Sequence, residues 1–169
     1  MDAKALSAAI PRLRRYAHAM LRDRAAADDL VQDTLERAWQ RIAQWHPGSN
    51  LAAWLLGIMH NLRVDGLRRR ELPVTSLHEQ AEHTLDLPTR ATQSDALEVR
   101  DLATALSELP EEQREILLLV ALEDMSYAEI AATLGIPQGT VMSRLSRGHE
   151  RLRQIMAGEP ATPTLRVVR

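Results

Sequence analysis

The stretch Ser126–Leu152, SYAEIAATLGIPQGTVMSRLSRGHERL, constrains the fold more than any other part of the chain. Ser126 and Glu129 have the S-x-x-E spacing of a capping box, so a helix is expected to begin there. Ile130, Ala131 and Leu134 would face inward. Gly135 admits the positive φ of a tight turn, and Pro137 fixes the start of a second helix. In that second helix Val141, Leu145 and Leu152 share one face. Thr140, Ser143, Arg144 and Arg147 share the other, with Met142 and Ser146 beside them. A helix held by one face and presenting Ser and Arg on the other fits a DNA major groove, where Arg can bind guanine bidentately. The alternative is a helical hairpin with a solvated basic face.

Apolar residues recur at helical spacing elsewhere. Residues 5–23 carry Leu6, Ile10, Leu13, Ala17 and Leu21 on one side, and residues 25–45 carry Val31, Leu35, Ala38, Ile42 and Trp45 at steps of four and three. HPGSN (46–50) interrupts with Pro and Gly. A third helix over 51–70 has Leu51, Leu55, Ile58 and Leu62 as its core face. Residues 71–95 contain two prolines and no sustained period, which reads as a flexible linker with room for one short helical turn. A second helical block runs over 96–157, and 158–169 is a loose tail. No strand pattern or internal repeat is found. The expected fold is all-α: two small helical domains, 1–70 and 96–157, joined by the linker.

The formal net charge of −2 hides an uneven distribution. The sums are +5 over 1–70, −6 over 71–110, −5 over 111–135 and +4 over 136–169. Two basic ends flank an acidic middle, and a basic patch is the footprint of phosphate binding. The chain has no cysteine, which excludes disulfides, thiolate zinc sites and cysteine catalysis and fits a reducing cytoplasm. No apolar run is long enough for a membrane span, and charges interrupt the N-terminal apolar stretch, so neither membrane insertion nor a signal peptide is expected. The six histidines do not form a metal pattern, and His78 and His83 fall in the linker.

Two further faces carry candidate chemistry. Asp29, Gln32, Asp33, Glu36 and Gln40 lie opposite the apolar stripe of the second helix. DNA would repel such a face, which leaves a basic protein partner or a solvated surface with pairs such as Asp33–Arg37. A metal site from Asp28, Asp29 and Asp33 is a third reading, but nothing completes it. In the third helix Trp54, Asn61, Asp65 and Arg68 fall on one line with Gly57 between them. An aromatic, an amide and an arginine in line suit unstacked bases, since stacking contributes about 1–3 kcal/mol per base. Against that stands a core Trp54 with a buried Asn61–Asp65 pair.

These segments resemble a known family. LPEEQREILLLVALEDMSYAEIAATLGIPQGTVMSRLSRGHERLR (109–153) is similar to region 4 of bacterial RNA polymerase sigma factors. ADDLVQDTLERAW (27–39) is similar to region 2.2, and AWLLGIMHNLRVDGLRRR (53–70) to regions 2.3 and 2.4. With nothing similar to regions 1.1 or 3, the resemblance is to the small extracytoplasmic-function (ECF) group. It implies a non-enzymatic initiation factor that binds core polymerase, reads the −35 and −10 elements and opens the duplex. It implies that Asp29, Gln32, Asp33 and Glu36 dock on the β′ clamp coiled coil. The loop from Trp45 would lie where a flipped −10 base is held, beside Trp54, Asn61 and Asp65, with Arg68, Arg69 and Arg70 on the flanking backbone. Thr140, Met142, Ser143, Arg144, Ser146 and Arg147 would meet the −35 element. The β flap and an anti-sigma factor are implied partners, and no cofactor is implied. The chain departs from the pattern in lacking Phe, in Leu51 and Ala52, in Met142 and Ser146, and in His149, which bears on promoter sequence rather than class. A polymerase-independent helix-turn-helix regulator is the alternative. A DNA-acting enzyme such as a recombinase lacks a supported nucleophile or carboxylate cluster.

Overall fold

A computed structural model describes residues 3–71 and 93–158. Among the described residues seven α-helices follow one another: α1 (Ala3–Met20), α2 (Arg24–Gln40), α3 (Leu51–Glu71), α4 (Gln93–Glu108), α5 (Glu111–Glu123), α6 (Tyr127–Leu134) and α7 (Gln138–Met156). No strand occurs among the described residues. The first three helices pack consecutively, α1 on α2 and α2 on α3. In the second lobe α4, α5 and α6 all pack on α7. Leu13, Ala17, Met20, Val31, Leu55 and Met59 fill the first core, and Ile116, Leu119, Ile130, Val141 and Leu145 the second.

Local chemistry sets most boundaries. Asp23 caps α2, accepting from the backbone N–H of Ala25 (2.8 Å) and Ala26 (3.2 Å). The helix expected to reach residue 45 ends at Gln40. Arg41 leaves helical geometry (φ −106°, ψ 15°), and a 3-10 turn over Ile42–Gln44 carries the chain to an extended Trp45. Periodicity continued through this turn because i+3 spacing satisfies both helix types. The capping box at Ser126 and Glu129 is present in both directions, and Gly135 ends α6 at φ 66°. Pro137 caps α7 one residue before its first helical position. Glu71 and Gln93–Asp95, expected in the linker, belong to α3 and α4; the rest of the linker, 72–92, and the tail beyond 158 lie outside the described residues.

The two lobes meet along a seam where α5 packs on α1 and α6 on α3. Charge crosses it repeatedly. Arg63 of α3, only 8% exposed, sits between Glu111 and Glu115 of α5, with its Nη2 2.7 Å from Glu115. His60 Nδ1 lies 2.8 Å from the other Glu115 oxygen. Arg12 of α1 pairs with the fully buried Glu123 side chain and donates to the Glu123 carbonyl at 2.9 Å. Arg15 donates to the Leu122 carbonyl, and Arg114 returns a bond to the Met20 carbonyl at 3.0 Å. Gly57 of α3 faces Thr133 of α6, where an added Cβ would stand 3.6 Å from its methyl.

Burial works to raise the Glu115 pKa, but the His60 hydrogen bond and the Arg63 charge outweigh it, and the carboxyl is held below its usual range. A depressed folded pKa stabilises the fold above the unfolded carboxylate value, near 4.3, and that contribution is lost as pH falls through the folded value. Thermal melting of the wild type is therefore expected to weaken as pH drops below about 4.3. Glu115→Gln should flatten that acid limb, checked by melting curves across pH. Glycines give a second expectation. A Cβ at Gly148, where α7 crosses α5, would meet Leu117 Cδ1 at 3.0 Å and Gln113 Cβ at 3.4 Å, whereas one at Gly66 meets nothing within 4 Å. Gly148→Val should destabilise by about 1–3 kcal/mol, and Gly66→Ala in α3 should stabilise by about 0.5–1 kcal/mol, both read by denaturant titration.

Candidate nucleic-acid and polymerase interfaces

The recognition-type helix is α7. Val141 and Leu145 bury its inner face, and Gly148 admits the close crossing on α5. On the outer face Ser143, Ser146 and Arg147 are exposed and Met142 is 53% exposed, while Thr140 is half-buried. The two arginines are held differently. Arg144 is half-buried and reaches Glu112 in the first turn of α5 at 2.8 Å. Arg147 bends back along its own helix, donating to the Ser143 carbonyl at 3.2 Å. Ser143 in turn donates to the Thr140 carbonyl at 3.1 Å. A groove beside α7 runs past Met142, Ser146 and His149 to Tyr127 and Gln113. At the start of the unit, the Ser126 backbone N–H and hydroxyl hold the exposed Glu129 carboxylate below its ordinary pKa.

The α3 line is partly open. Asn61, Asp65 and Arg68 are exposed, so Asn61 and Asp65 are not the buried pair that was the alternative. Trp54 is half-buried against the core, which leaves part of its ring facing out. Trp45 is half-buried with its indole N–H enclosed and unpartnered. Asp65 shares a groove with Asp33, Glu36 and Arg37 rather than with Trp54, so it stands on the acidic side of the lobe. Arg69 lies in the last turns of α3.

The α2 face is present as a surface. Asp29, Gln32, Asp33, Glu36 and Gln40 are all exposed, with Gln32 donating to Glu36 at 3.2 Å. Asp28 turns away, 3.2 Å from both Arg14 and His18 of α1, so it does not join Asp29 and Asp33 at one site. Trp39, 57% exposed, lines an apolar groove with Leu6, Ile10 and Leu35 next to this face. No helix among the described residues is long and apolar enough to cross a membrane.

Sequence reasoning missed the seam residues Arg12, His60, Arg63, Glu115 and Glu123. The signal available was the charge asymmetry. A basic first lobe and an acidic 111–135 segment can neutralise each other, and an acidic residue such as Glu115 inside the apolar run EILLL must find a partner.

Two family models match the chain, sigma-70 region 4 over residues 100–152 and the sigma2 domain of PhyR over residues 6–60. The ECF RNA polymerase sigma factor EcfG of Rhodopseudomonas palustris is 38% identical over 88% of this chain and 81% of its own. SigC of Mycobacterium tuberculosis, also an ECF sigma factor, is 36% identical over 79% of this chain and 72% of its own. The fold is similar to the sigma factor RpoE from Bartonella quintana, solved in complex with the anti-sigma factor NepR. The TM-score is 0.73 at 30% identity, covering 93% of this chain and 97% of that one. Two unlike helical lobes, one matching sigma2 and one matching region 4, in a relationship this extensive make the assignment: the chain belongs to the ECF RNA polymerase sigma factors, non-enzymatic regulators of transcription initiation.

Proposed function

We propose that this chain docks on core RNA polymerase through the exposed acidic face of α2, reads a −35 element with α7, and engages unstacked −10 bases along Trp54, Asn61 and Arg68 of α3. The observation that carries this reading is the separation of charge over the surface. The carboxylates of α2 project without a basic partner lobe over them, while the outer face of α7 carries Ser143, Ser146 and Arg147. Phosphate is repelled by the first and attracted by the second, so the two faces serve different partners. Polymerase would set the distance between the two elements, which neither lobe can do alone. A cytoplasmic site of action and an anti-sigma partner follow from the same reading, since the similar RpoE was solved bound to NepR.

Run-off transcription with core polymerase and a promoter library, with and without the protein, tests the whole proposal. Specific transcripts that depend on the protein are expected. Tight specific promoter binding by the free protein, with no effect on polymerase, would instead favour the polymerase-independent regulator.

Two substitutions resolve the parts. Asp33→Arg places like charge across the docking face and should weaken core binding by about tenfold, or ~1.4 kcal/mol, with melting temperature unchanged. On α7, Arg144 is held by Glu112, and a pre-positioned guanidinium loses little freedom on binding a base edge. Arg144→Ala should relax selection at one −35 position by about 1–3 kcal/mol. Glu112→Ala should blur the same position. Transcription from promoters randomised at −35 reads both. An equal drop on every sequence would make Arg144 a phosphate anchor.

A further inference from the structure

A groove of about 510 Å³ between the start of α1 and the end of α2 is floored by Leu6, Ile10, Leu35 and Trp39 and edged by Ser7, Glu36 and Gln40. That is the size of a ligand-binding cleft, about 300–1,000 Å³. Its edge is rich in acceptors. Pro11 lies inside α1 and has no backbone N–H, so the Ser7 carbonyl receives no helical bond from residue 11. The Ser7 hydroxyl is turned to the Lys4 carbonyl at 2.9 Å. A carbonyl and the Glu36 carboxylate therefore stand beside a largely exposed indole. An arginine suits all three, since a guanidinium donates to both oxygens and stacks on an aromatic ring.

The rest of the chain contains a segment of that chemistry. Residues 72–92 do not fit: they carry Glu79, Glu82 and Asp86 against one arginine, Arg90, and the acidic α2 face repels them. Residues 159–169, EPATPTLRVVR, set Leu165, Val167 and Val168 beside Arg166 and Arg169. They are also within reach. Because α5 packs on both α7 and α1, the axes of those two helices are about 20 Å apart. Eleven residues after Gly158 span up to about 40 Å.

We propose that residues 165–169, LRVVR, dock in this groove of their own chain. The aliphatic side chains cover Trp39 and Ile10, and the arginines meet Glu36, its neighbour Asp33 and the Ser7 carbonyl. Glu36 and Asp33 belong to the α2 face proposed to bind core polymerase, so the docked segment and core compete for it. This competition rests on the proposed role of α2, whereas the docking itself does not.

Fluorine NMR of the full chain labelled with fluorotryptophan tests the docking. The three tryptophans give three signals, and Trp39→Phe identifies the one from the groove. Ending the chain after Thr164 should shift the Trp39 signal and leave those of Trp45 and Trp54 in place, with helicity unchanged. Adding the peptide TLRVVR to the shortened chain should return the signal towards its full-length position. Arg166→Glu with Arg169→Glu in the full chain should reproduce the shortened chain's signal. A Trp39 signal that ignores truncation would overturn the proposal. So would a full-length signal that moves with protein concentration alongside a dimer mass, because the occupant would then be a second copy. In core-binding titrations the shortened chain should bind about threefold more tightly, as expected if the segment covers the face in two-thirds of free molecules. Equal affinities, with the segment docked by NMR, would overturn the competition. If the wild type binds no core at all, the polymerase reading fails instead, and the Trp39 signal still decides whether the segment docks.

Discussion

Glu115 is a carboxylate buried in one lobe whose counter-ion, Arg63, and hydrogen-bond partner, His60, belong to the other. An ion left in a poorly solvated site without its counter-ion is costly by several kcal/mol. That requirement favours the register in which the lobes meet, in which α3 places the Arg63 guanidinium between Glu111 and Glu115. The Arg12–Glu123 pair imposes the same condition at the α1 side. Within each lobe the logic differs. Leu13, Met20, Leu55 and Met59, and likewise Ile116, Leu119, Ile130 and Val141, are almost wholly removed from water. Those contacts rest on apolar burial and dispersion, which have no hydrated alternative. The lobes are therefore held internally by apolar burial, and the seam between them by charge.

Much of this was legible in the sequence, and the reasons are specific. Ser126, Glu129 and Gly135 act on their own backbone, so their meaning does not depend on the rest of the fold, and the cap and the positive-φ turn stand where the residues place them. The buried stripe of α7 follows from spacing alone. The end of α2 was less legible, because a 3-10 turn continues the apolar rhythm to Trp45 after the α-helix has stopped. Arg144 shows a different limit. Its position on α7 was evident, but its partner Glu112 is 32 residues earlier in the chain, a distance that helical periodicity cannot bridge. The seam is the extreme case. Arg12 and Glu123 are 111 residues apart, and only the opposed net charges of their segments hinted at a meeting.

Charge not used internally then shows where the molecule turns outward. Acid on α5 is consumed by the seam: Glu111 and Glu115 by Arg63, Glu123 by Arg12 and Arg15. Glu112 is consumed by Arg144. The acid of α2 has no such fate, since Asp28 alone turns inward to Arg14 and His18 while Asp29, Asp33 and Glu36 remain on the surface. Unlike a scattered surface charge, this set lies on one helix face, adjoins an apolar groove with a largely exposed Trp39, and shares its rim with Asp65. Apolar area beside fixed like charge is the arrangement of a protein interface, in which burial supplies affinity and the charges set register and exclude the wrong partner. Nucleic acid is the partner most strongly excluded. Under the proposed reading, bases at Trp54 and Arg68 would be confined to one side of α3, because Asp65 lies in the groove with Asp33 and Glu36.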